Sequence, residues 1–212
     1  EACMIGQMIG IYRIEEKLAQ GGSAPIYRAI QEGGGAELAV KLVERTHPDY
    51  LDQRARLRHE ASLSLRANHH GIVRTYSSGE IAECCYAVQE LLRGRPLHHI
   101  LREESKPGEG LNRGHALALT ADLAEAVAHL HGLEIVHADL KPPNAMLCGN
   151  RLVICDLGLA VLEGESRSKG AVMGSPSYMA PEVDPGEPIT RKVDLWALGV
   201  ILFEMLAGAT PF

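Results

Sequence analysis

The chain has 212 residues, enough for one large domain or two small lobes, and its 46% apolar and 23% charged residues are ordinary for a globular protein. Its net charge of −6, without a basic stripe, argues against a general nucleic-acid binder. No apolar run is long enough to cross a membrane, and five cysteines without a C-x-x-C pair favour reduced thiols in a cytoplasmic protein.

The first part of the chain, up to Leu92, is predicted to consist mainly of β-strands. Its apolar and β-branched runs are separated by glycine-rich turns. One charged helix interrupts the strands, and Leu57, Ala61 and Leu65 recur on one of its faces. The predicted elements, of which the fourth is the helix, are Ile11–Leu18, Ile26–Ile30, Leu38–Val43, Leu51–Ala67, Ile72–Ser77 and Cys85–Leu91.

After Gly94 the pattern becomes helical. Asn112 is predicted to be the N-cap of a helix that runs to about His131, because apolar residues recur there every three or four positions. Two short strands, a polar loop and a strongly apolar helix follow, at Ala145–Leu147, Leu152–Ile154, Glu163–Lys169 and Val193–Ala207. Strands first and helices later predict an α+β protein with two lobes, residues 1–92 and 93–212, joined by a hinge at Leu91–Gly94.

The stretch His137–Asn144, which reads HADLKPPN, and the later Asp156 carry the strongest chemical signal in the chain. Asp139 can accept a hydroxyl proton, and Lys141 can neutralise the charge of a phosphate. Asn144 and Asp156 can hold Mg²⁺. Acids and an amide beside short apolar strands would be buried at a cost unless a metal or a substrate balanced them. The set therefore predicts metal-assisted transfer of a phosphoryl group.

A glycine turn at Gly21-Gly22 would let backbone N–H groups approach phosphate oxygens, although any hairpin can carry this dipeptide. Lys41, on a predicted strand, would ordinarily be a solvated edge residue, and Glu60 would ordinarily lie on a helix surface. Their place after the glycine turn favours instead a phosphate-binding lysine and the glutamate that holds it. At about 4 Å such a pair interacts by about 4 kcal/mol at an effective dielectric of about 20, before desolvation.

From about Ile11 onwards the chain resembles the catalytic domain of Hanks-type (eukaryotic-like) serine/threonine protein kinases, in particular their bacterial branch. The motifs described above agree with that family in order and spacing. Gly174–Glu182, which reads GSPSYMAPE, is similar to the family's substrate-facing segment, and Asp194–Gly199 to the helix that anchors its catalytic loop. The resemblance implies a two-lobed protein kinase fold, with an antiparallel β N-lobe that carries one helix and a mainly α C-lobe that here lacks its last helices.

The resemblance also implies a function, which is transfer of the γ-phosphoryl group of ATP to serine or threonine hydroxyls of a protein substrate by a non-specific serine/threonine protein kinase. Asp139 would be the catalytic acceptor, and Lys141 would contact the γ-phosphate near the hydroxyl of Ser175. Lys41, fixed by Glu60, would bind the α- and β-phosphates. The ligands of Mg²⁺ (or Mn²⁺) would be Asn144 and Asp156, and the ATP contacts would be Leu18, Gly21, Gly22, Ile26, Ala39, Lys41, Gln89, Glu90 and Leu92.

Two departures from the family pattern affect nucleotide binding and regulation. Ala19 and Ala24 stand at the first and third glycine positions, which predicts a looser hold on the nucleotide because alanine resists positive φ. Ala138 replaces the arginine that receives an activation-loop phosphate in the family. Phosphorylation of Ser166 or Ser168 is therefore not expected to switch the enzyme.

The apolar helix at Val193–Ala207 would expose several large side chains, each of which forfeits about 1.5–3 kcal/mol of burial. The family places further helices beyond a Pro-Phe like Pro211-Phe212, so we expect the chain to be a piece of a longer protein. An exposed apolar helix could also mediate self-association.

Two other functions stay open at this stage. A catalytically impaired pseudokinase, acting as a nucleotide-binding or protein-interaction scaffold, would fit the two missing glycines, Ala138 and the absence of the last helices from this chain. Against it, Lys41, Glu60, Asp139, Asn144 and Asp156 are all present. Phosphotransfer to a small molecule is disfavoured by Gly174–Glu182, which resembles a peptide-docking element.

The histidine pairs His69-His70 and His98-His99 have no ligand spacing with cysteines or acids in the sequence. They are expected to be loop and surface residues rather than metal ligands.

Overall fold

The computed structural model describes residues 4–20, 24–106, 108–166, 174–184 and 186–212. The chain divides into two compact units. The first unit comprises Glu1–Arg66 and Arg74–Leu92, and the second comprises Ala67–Val73 and Arg93–Phe212. The predictions made for Gly21, Gly22 and Ser168 lie outside the described residues.

The first unit contains one helix among its strands. In chain order these elements are β1 (Met8–Ile9), β2 (Tyr12–Gln20), β3 (Pro25–Gln31), β4 (Glu37–Glu44), α1 (Tyr50–Ser64), β5 (Thr75–Glu80) and β6 (Cys84–Glu90). The strands form one antiparallel sheet in the order β1-β2-β3-β4-β6-β5. The predicted strands and helix are present, and the sequence pattern did not reveal β1. β5 begins at Thr75 rather than Ile72, because Ile72 pairs with Ile154 of the second unit's own sheet.

Side-chain alternation gives this sheet two apolar faces. One face, centred on Val40 and Leu42, packs against Met4. The opposite face packs against α1 through Leu57 and Ala61. Leaving one such side chain in water would cost about 1.5–3 kcal/mol, so burial on both faces stabilises the unit.

The face of α1 that meets the sheet contains a carboxylate. Leu57, Glu60, Ala61 and Ser64 are buried at helical spacing. The prediction that Leu65 belongs to the apolar stripe is wrong, because Leu65 follows the last helical residue and is 46% exposed. The helix therefore meets the sheet through a charged group as well as through apolar contacts.

The second unit is mainly helical. Its elements are β7 (Arg95–Pro96), α2 (Leu97–Glu104), α3 (Arg113–Gly132), β8 (Ile135–Val136), β9 (Ala145–Cys148), β10 (Arg151–Ile154), β11 (Val161–Leu162) and α4 (Lys192–Ala207). The short strands pair as β10-β9-β7 and as β11-β8, and α3 packs against both α4 and β10. The predicted helices α3 and α4 and the strands β9 and β10 are present. Sequence periodicity missed α2, which is only eight residues long and starts directly after Pro96.

One side of α4 forms part of the core of the second unit. Its buried residues are Val193, Asp194, Ala197, Leu198, Val200, Ile201 and Met205. Leu195, Phe203 and Leu206 lie on the other side and are 56%, 47% and 40% exposed. Across the described part of the chain, no helix combines the length and the hydropathy that crossing a membrane requires.

Asn112 caps α3 as predicted. Its side-chain oxygen accepts hydrogen bonds from the backbone N–H groups of Gly114 (2.9 Å) and His115 (3.3 Å). These N–H groups belong to the first turn of the helix and have no partner within it. The cap fixes the start of the helix that carries His131 at its other end.

Replacing Asn112 by alanine should lower the free energy of unfolding of the second unit by about 1 kcal/mol, because the two N–H groups lose their acceptor. Urea unfolding followed by the fluorescence of Trp196, the single tryptophan of the chain, measures this. Asn112→Asp keeps an acceptor and should stay close to the parent. An alanine variant as stable as the parent would contradict the capping role.

Candidate active site

The loop that follows β8 is anchored by one buried carboxylate on α4. Asp194 is fully buried, and its Oδ2 accepts hydrogen bonds from the backbone N–H of His137 (2.9 Å) and lies 2.8 Å from Nε2 of His131. Its Oδ1 accepts from the N–H of Ala138 (2.8 Å). Buried backbone N–H groups need partners, and here a side chain from a distant helix supplies them. Asp194 thereby joins α3, α4 and the start of the loop.

Ala138 adopts a left-handed conformation with φ 57°. This region costs a residue with a Cβ about 1–2 kcal/mol, and the hydrogen bond to Asp194 helps to hold it. A 3₁₀ turn at Pro142–Asn144 then turns the chain back. As a result Nδ2 of Asn144 donates to the backbone oxygen of Asp139 (2.9 Å) and to its Oδ2 (3.3 Å).

Asp139 lies at the centre of a polar cluster. Its Oδ2 is 2.7 Å from Nζ of Lys141, and its Oδ1 accepts from the backbone N–H (3.1 Å) and the hydroxyl (3.3 Å) of Ser175. Nζ of Lys141 also donates to Oγ of Ser175 (2.8 Å). Four side chains named from the sequence, those of Asp139, Lys141, Asn144 and Ser175, are therefore brought together. The carboxylate is held in one orientation by neighbours on three sides.

The hairpin of β9 and β10 brings Asp156 next to this cluster. The strands pair from Ala145 with Ile154, and the N–H of Cys155 donates to the backbone oxygen of Asn144 (3.0 Å). Oδ1 of Asp156 accepts from the N–H of Gly158 (2.9 Å), which orients the carboxylate. Asn144 and Asp156 thus supply amide and carboxylate oxygens at the end of the same hairpin, which are the donor types that a hard divalent cation prefers.

His137 supports the loop from the inside. It is 1% exposed, and its Nδ1 lies 3.3 Å from the backbone N–H of Asp139. Burial lowers the pKa of His137 below its ordinary value, although the carboxylate of Asp194 acts in the opposite direction. A neutral imidazole can accept this hydrogen bond, whereas an imidazolium cannot.

In the first unit, Lys41 and Glu60 form a buried ion pair. Both residues are 1% exposed, and Nζ of Lys41 contacts Oε1 of Glu60. Lys41 is therefore not a solvated edge residue, and Glu60 does not lie on the helix surface. A buried charge needs a partner, and removing either partner would leave the other uncompensated, at a cost of about 3–5 kcal/mol.

Four of the predicted nucleotide contacts share one face of the sheet. Lys41 pairs with Ile26 on one neighbouring strand, and Ala39 pairs with Gln89 on the other. Because directly opposite residues point to the same side of an antiparallel pair, these four side chains project from the face that carries α1. Gln89 is buried, and its Nε2 donates to Oγ1 of Thr75 (3.1 Å).

Three further predicted nucleotide contacts among the described residues lie at or near strand ends. Leu18 lies at a register irregularity of β2 and is 44% exposed. Glu90 is the last residue of β6, and its N–H donates to the backbone oxygen of Arg74 (2.8 Å). Leu92 is half-buried and ends the first unit.

An ion pair that the sequence did not suggest anchors the segment after β11. Nε of Arg191 donates to both carboxylate oxygens of Glu163 (2.8 and 3.0 Å), and Nη2 makes a further contact. The Arg191 hydrogen bonds lower the pKa of Glu163 to about 2. The N–H of Gly164 donates to Ile189, and Ser166 forms a bridge with Pro188. The partners are 28 residues apart, so no local pattern could reveal them.

The structure brings to His69 and His70 an acid that their spacing in the sequence does not indicate. Glu125, on α3, lies 3.8 Å from Nε2 of each histidine. Nδ1 of His69, however, accepts from the N–H of Gly71 (3.1 Å), which leaves the proton of the neutral ring on Nε2, the atom that faces Glu125. Burial lowers the pKa of His69, with His70 and His129 acting in the same direction. For His69 the geometry is therefore that of an imidazole N–H beside a carboxylate.

The chain is similar to known protein kinases over most of its length. The profile of the protein kinase domain matches residues 12–212. Serine/threonine-protein kinase dkf-2 of Caenorhabditis briggsae is 34% identical over 210 residues, which are 95% of this chain and 17% of that protein. Human serine/threonine-protein kinase D2 is 32% identical over 209 residues, covering 95% of this chain and 23% of that protein.

A bacterial protein is also similar. A protein of Clostridium acetobutylicum named as a probable serine/threonine-protein kinase is 29% identical over 213 residues, covering 99% of this chain and 32% of that protein. The chain thus spans between 17% and 32% of the length of these three relatives.

Replacing Asp194 by asparagine should destabilise the second unit by about 3 kcal/mol. An amide NH₂ would face an N–H donor, so at least one buried donor would lose its acceptor. Thermal or urea unfolding followed by circular dichroism measures the change. Asp184→Asn, at an exposed position of the same unit, is the matched control and should have no effect. Equal stability of the two variants would contradict the anchoring role.

Glu163 should stay ionised at about pH 3.5, since the Arg191 pair lowers its pKa to about 2 from an ordinary value of 4.5. A lowered carboxyl pKa stabilises the folded state above the ordinary pKa, and this stabilisation is lost as the pH falls towards 2. Carboxyl ¹³C NMR during an acid titration measures the ionisation. Arg191→Gln should leave Glu163 mostly protonated at about pH 3.5, whereas Arg113→Gln, at an exposed site, should not. Protonation of Glu163 near its ordinary pKa in the parent protein would disprove the pairing.

Proposed function

This chain belongs to the protein kinase family, and from that membership we propose that it transfers the γ-phosphoryl group of ATP to serine or threonine hydroxyls of protein substrates, with Mg²⁺. The single observation that carries the proposal is the hydrogen-bonded cluster around Asp139 in the second unit. The three relatives described above are all named as serine/threonine kinases, which supports this choice of acceptor.

Asp139 is proposed to accept the proton of the substrate hydroxyl. As the hydroxyl oxygen bonds to the γ-phosphorus, the bond from that phosphorus to ADP breaks, and the proton passes to Oδ of Asp139. Lys141, 2.7 Å from Asp139, would balance the negative charge on the transferred group. Catalysis of this kind depends mainly on position, and the contacts of Ser175 and Asn144 supply it.

Asn144 and Asp156 would hold the metal ion. The amide nitrogen of Asn144 donates to Asp139, so the amide oxygen lies on the opposite side of the same group, where it can act as a ligand. Both donors are oxygens, which suits Mg²⁺ and equally Mn²⁺. When bound, the metal would neutralise charge on the phosphates.

Lys41 would bind the α- and β-phosphates of ATP in the first unit, with Glu60 holding its ammonium group in place. A lysine that is already buried and paired is pre-organised for this task, since little side-chain freedom remains to be lost. The proposed ATP contacts are Leu18, Gly21, Gly22, Ile26, Ala39, Lys41, Gln89, Glu90 and Leu92.

A serine or threonine acceptor, rather than tyrosine, is favoured by Lys141 and Ser175. The hydrogen bond between Nζ of Lys141 and Oγ of Ser175 places a cation and a hydroxyl together beside Asp139.

A pseudokinase scaffold is the competing proposal. Against it stand the paired Lys41 and Glu60 and the intact cluster around Asp139.

Replacing Asp139 by asparagine should lower kcat for phosphorylation of a basic protein such as histone by about 10²- to 10⁴-fold, because the proton acceptor is lost. Thermal stabilisation by Mg-ATP should persist, since the proposed metal ligands and Lys41 remain. Radiolabelled phosphate transfer and a thermal-shift assay measure the two effects.

Glu32→Gln, the same change of carboxylate to amide on an exposed turn, is the matched control and should retain full turnover. A parent protein that binds Mg-ATP but phosphorylates nothing would support the scaffold instead. Transfer to an aminoglycoside but to no protein would overturn the choice of acceptor.

A further inference from the structure

Glu80, the last residue of β5, is the meeting point of three side chains in the first unit. Its Oε1 accepts from Nη2 of Arg45 (3.0 Å) and from the hydroxyl of Tyr50 (3.1 Å). Its Oε2 accepts from Nε of Arg54 (2.8 Å). The side chains of Glu80 and Arg54 are about 70% buried, since 28% and 31% of their surface is exposed. We call these four residues the Glu80 network.

The network joins the sheet to the first turn of α1. Tyr50 is the first residue of the helix, and Arg54 follows one turn later on the same side. Arg45 directly follows β4, the strand that carries Lys41. Glu80 lies on β5, at the edge of the sheet. One carboxylate therefore holds the start of the helix against the edge strand and against the end of β4.

At the start of α1 the Glu80 network adds polar contacts to the apolar contact of the Tyr50 ring. Asp49, at the N-cap position, makes no side-chain capping hydrogen bond. Tyr50 belongs to the same apolar cluster as Leu57 and Ala61, and its hydroxyl extends to Glu80. A carboxylate near the first turn is also favoured by the positive end of the helix dipole. Hydrogen bonding from Arg54 lowers the pKa of Glu80 below its ordinary value, so this group carries its charge at neutral pH.

Glu60 lies on the same helix, six residues after Arg54, which corresponds to about 9 Å along the axis. A helix moves as a rigid body over such a distance. A displacement of its first turn would therefore also displace Glu60 from Lys41.

We propose that Glu80 is a positioning residue for the phosphoryl-transfer reaction: through Tyr50 and Arg54 it holds α1 where Glu60 can pair with Lys41. The effect on phosphoryl transfer rests on the proposed kinase function, whereas the link from Glu80 to the pairing of Glu60 with Lys41 does not. Glu80 touches neither substrate nor metal in the proposal and acts only through the helix. Since partly exposed ion pairs contribute little to global stability, its removal should change local position more than overall unfolding.

The test replaces Glu80 by glutamine in the whole chain. Lys41 is 1% exposed and paired in the parent protein, so its acetylation by an amine-reactive reagent should be slow. In Glu80→Gln the rate of acetylation at Lys41, followed by peptide mass spectrometry, should rise about three- to tenfold, in line with the modest strength of such networks. The KM for ATP should rise by a similar factor, while the KM for the protein substrate should stay unchanged.

Glu16→Gln is the matched control. Glu16 on β2 pairs with Arg28 on β3 at 2.8 Å, whereas Glu80 lies on β5 at the opposite edge of the sheet, and Arg28 keeps its second partner Glu37. This variant should leave the acetylation of Lys41 unchanged. Arg54→Gln should reproduce the effect of Glu80→Gln, and the double variant should add little to either, because both changes break the same contact.

The outcomes separate the two proposals. Parent-like acetylation of Lys41 in both Glu80→Gln and Arg54→Gln, with far-ultraviolet circular dichroism unchanged, would overturn the positioning role. Faster acetylation in both variants, together with no kinase activity in the parent, would uphold the structural link and overturn the kinase function. Should Glu80→Gln fail to fold, the Arg54→Gln variant decides the question alone.

Discussion

The carboxylate of Asp194 is the interaction on which the second unit most depends. It accepts from two consecutive backbone N–H groups, those of His137 and Ala138, and lies against His131 of α3. A carboxylate can accept several hydrogen bonds at once, which no other short side chain does as well. This contact stabilises the left-handed conformation of Ala138, and the orientation of the next residue, Asp139, follows from that conformation. The packing of α3 against α4 and the position of Asp139 therefore depend on the same carboxylate.

The first unit uses buried charge in a similar way. Lys41 and Glu60 come from a strand and a helix that pack through apolar residues, and the charged pair lies within that contact. Each charge is tolerated only because the other is present. The position of α1 therefore depends on its apolar contacts with the sheet and on the ion pair of Lys41 and Glu60. The Glu80 network at the start of the helix adds polar contacts to the apolar contact that Tyr50 makes there.

The described residues that directly follow β11 are held by groups within the chain. Alanine at position 138 offers no guanidinium to a phosphate, whereas Glu163 and Arg191 form an ion pair close by in the same unit. Backbone hydrogen bonds from Gly164 to Ile189 and from Ile189 to Glu165 reinforce this attachment. A constitutive carboxylate–guanidinium pair can supply the type of contact that a phosphorylated residue would otherwise supply. That phosphorylation of Ser166 or Ser168 does not act as a switch stays a prediction.

The sequence by itself determined the order and type of most elements, the protein kinase fold and the residue types of the site. Strand and helix periodicities are local, and the HADLKPPN stretch keeps Asp139, Lys141 and Asn144 within one short loop. Periodicity alone failed where an element was very short, as in α2. It also failed on α1, where the charged Glu60 is buried and the predicted Leu65 follows the last helical residue. Only the tertiary structure decided which distant groups meet, namely Asp194 with Ala138 in the loop after β8, Glu163 with Arg191 and Glu80 with Arg54. The reason is physical: these contacts join residues 26 to 56 positions apart, and their partners are selected by burial and charge once helices and strands have packed.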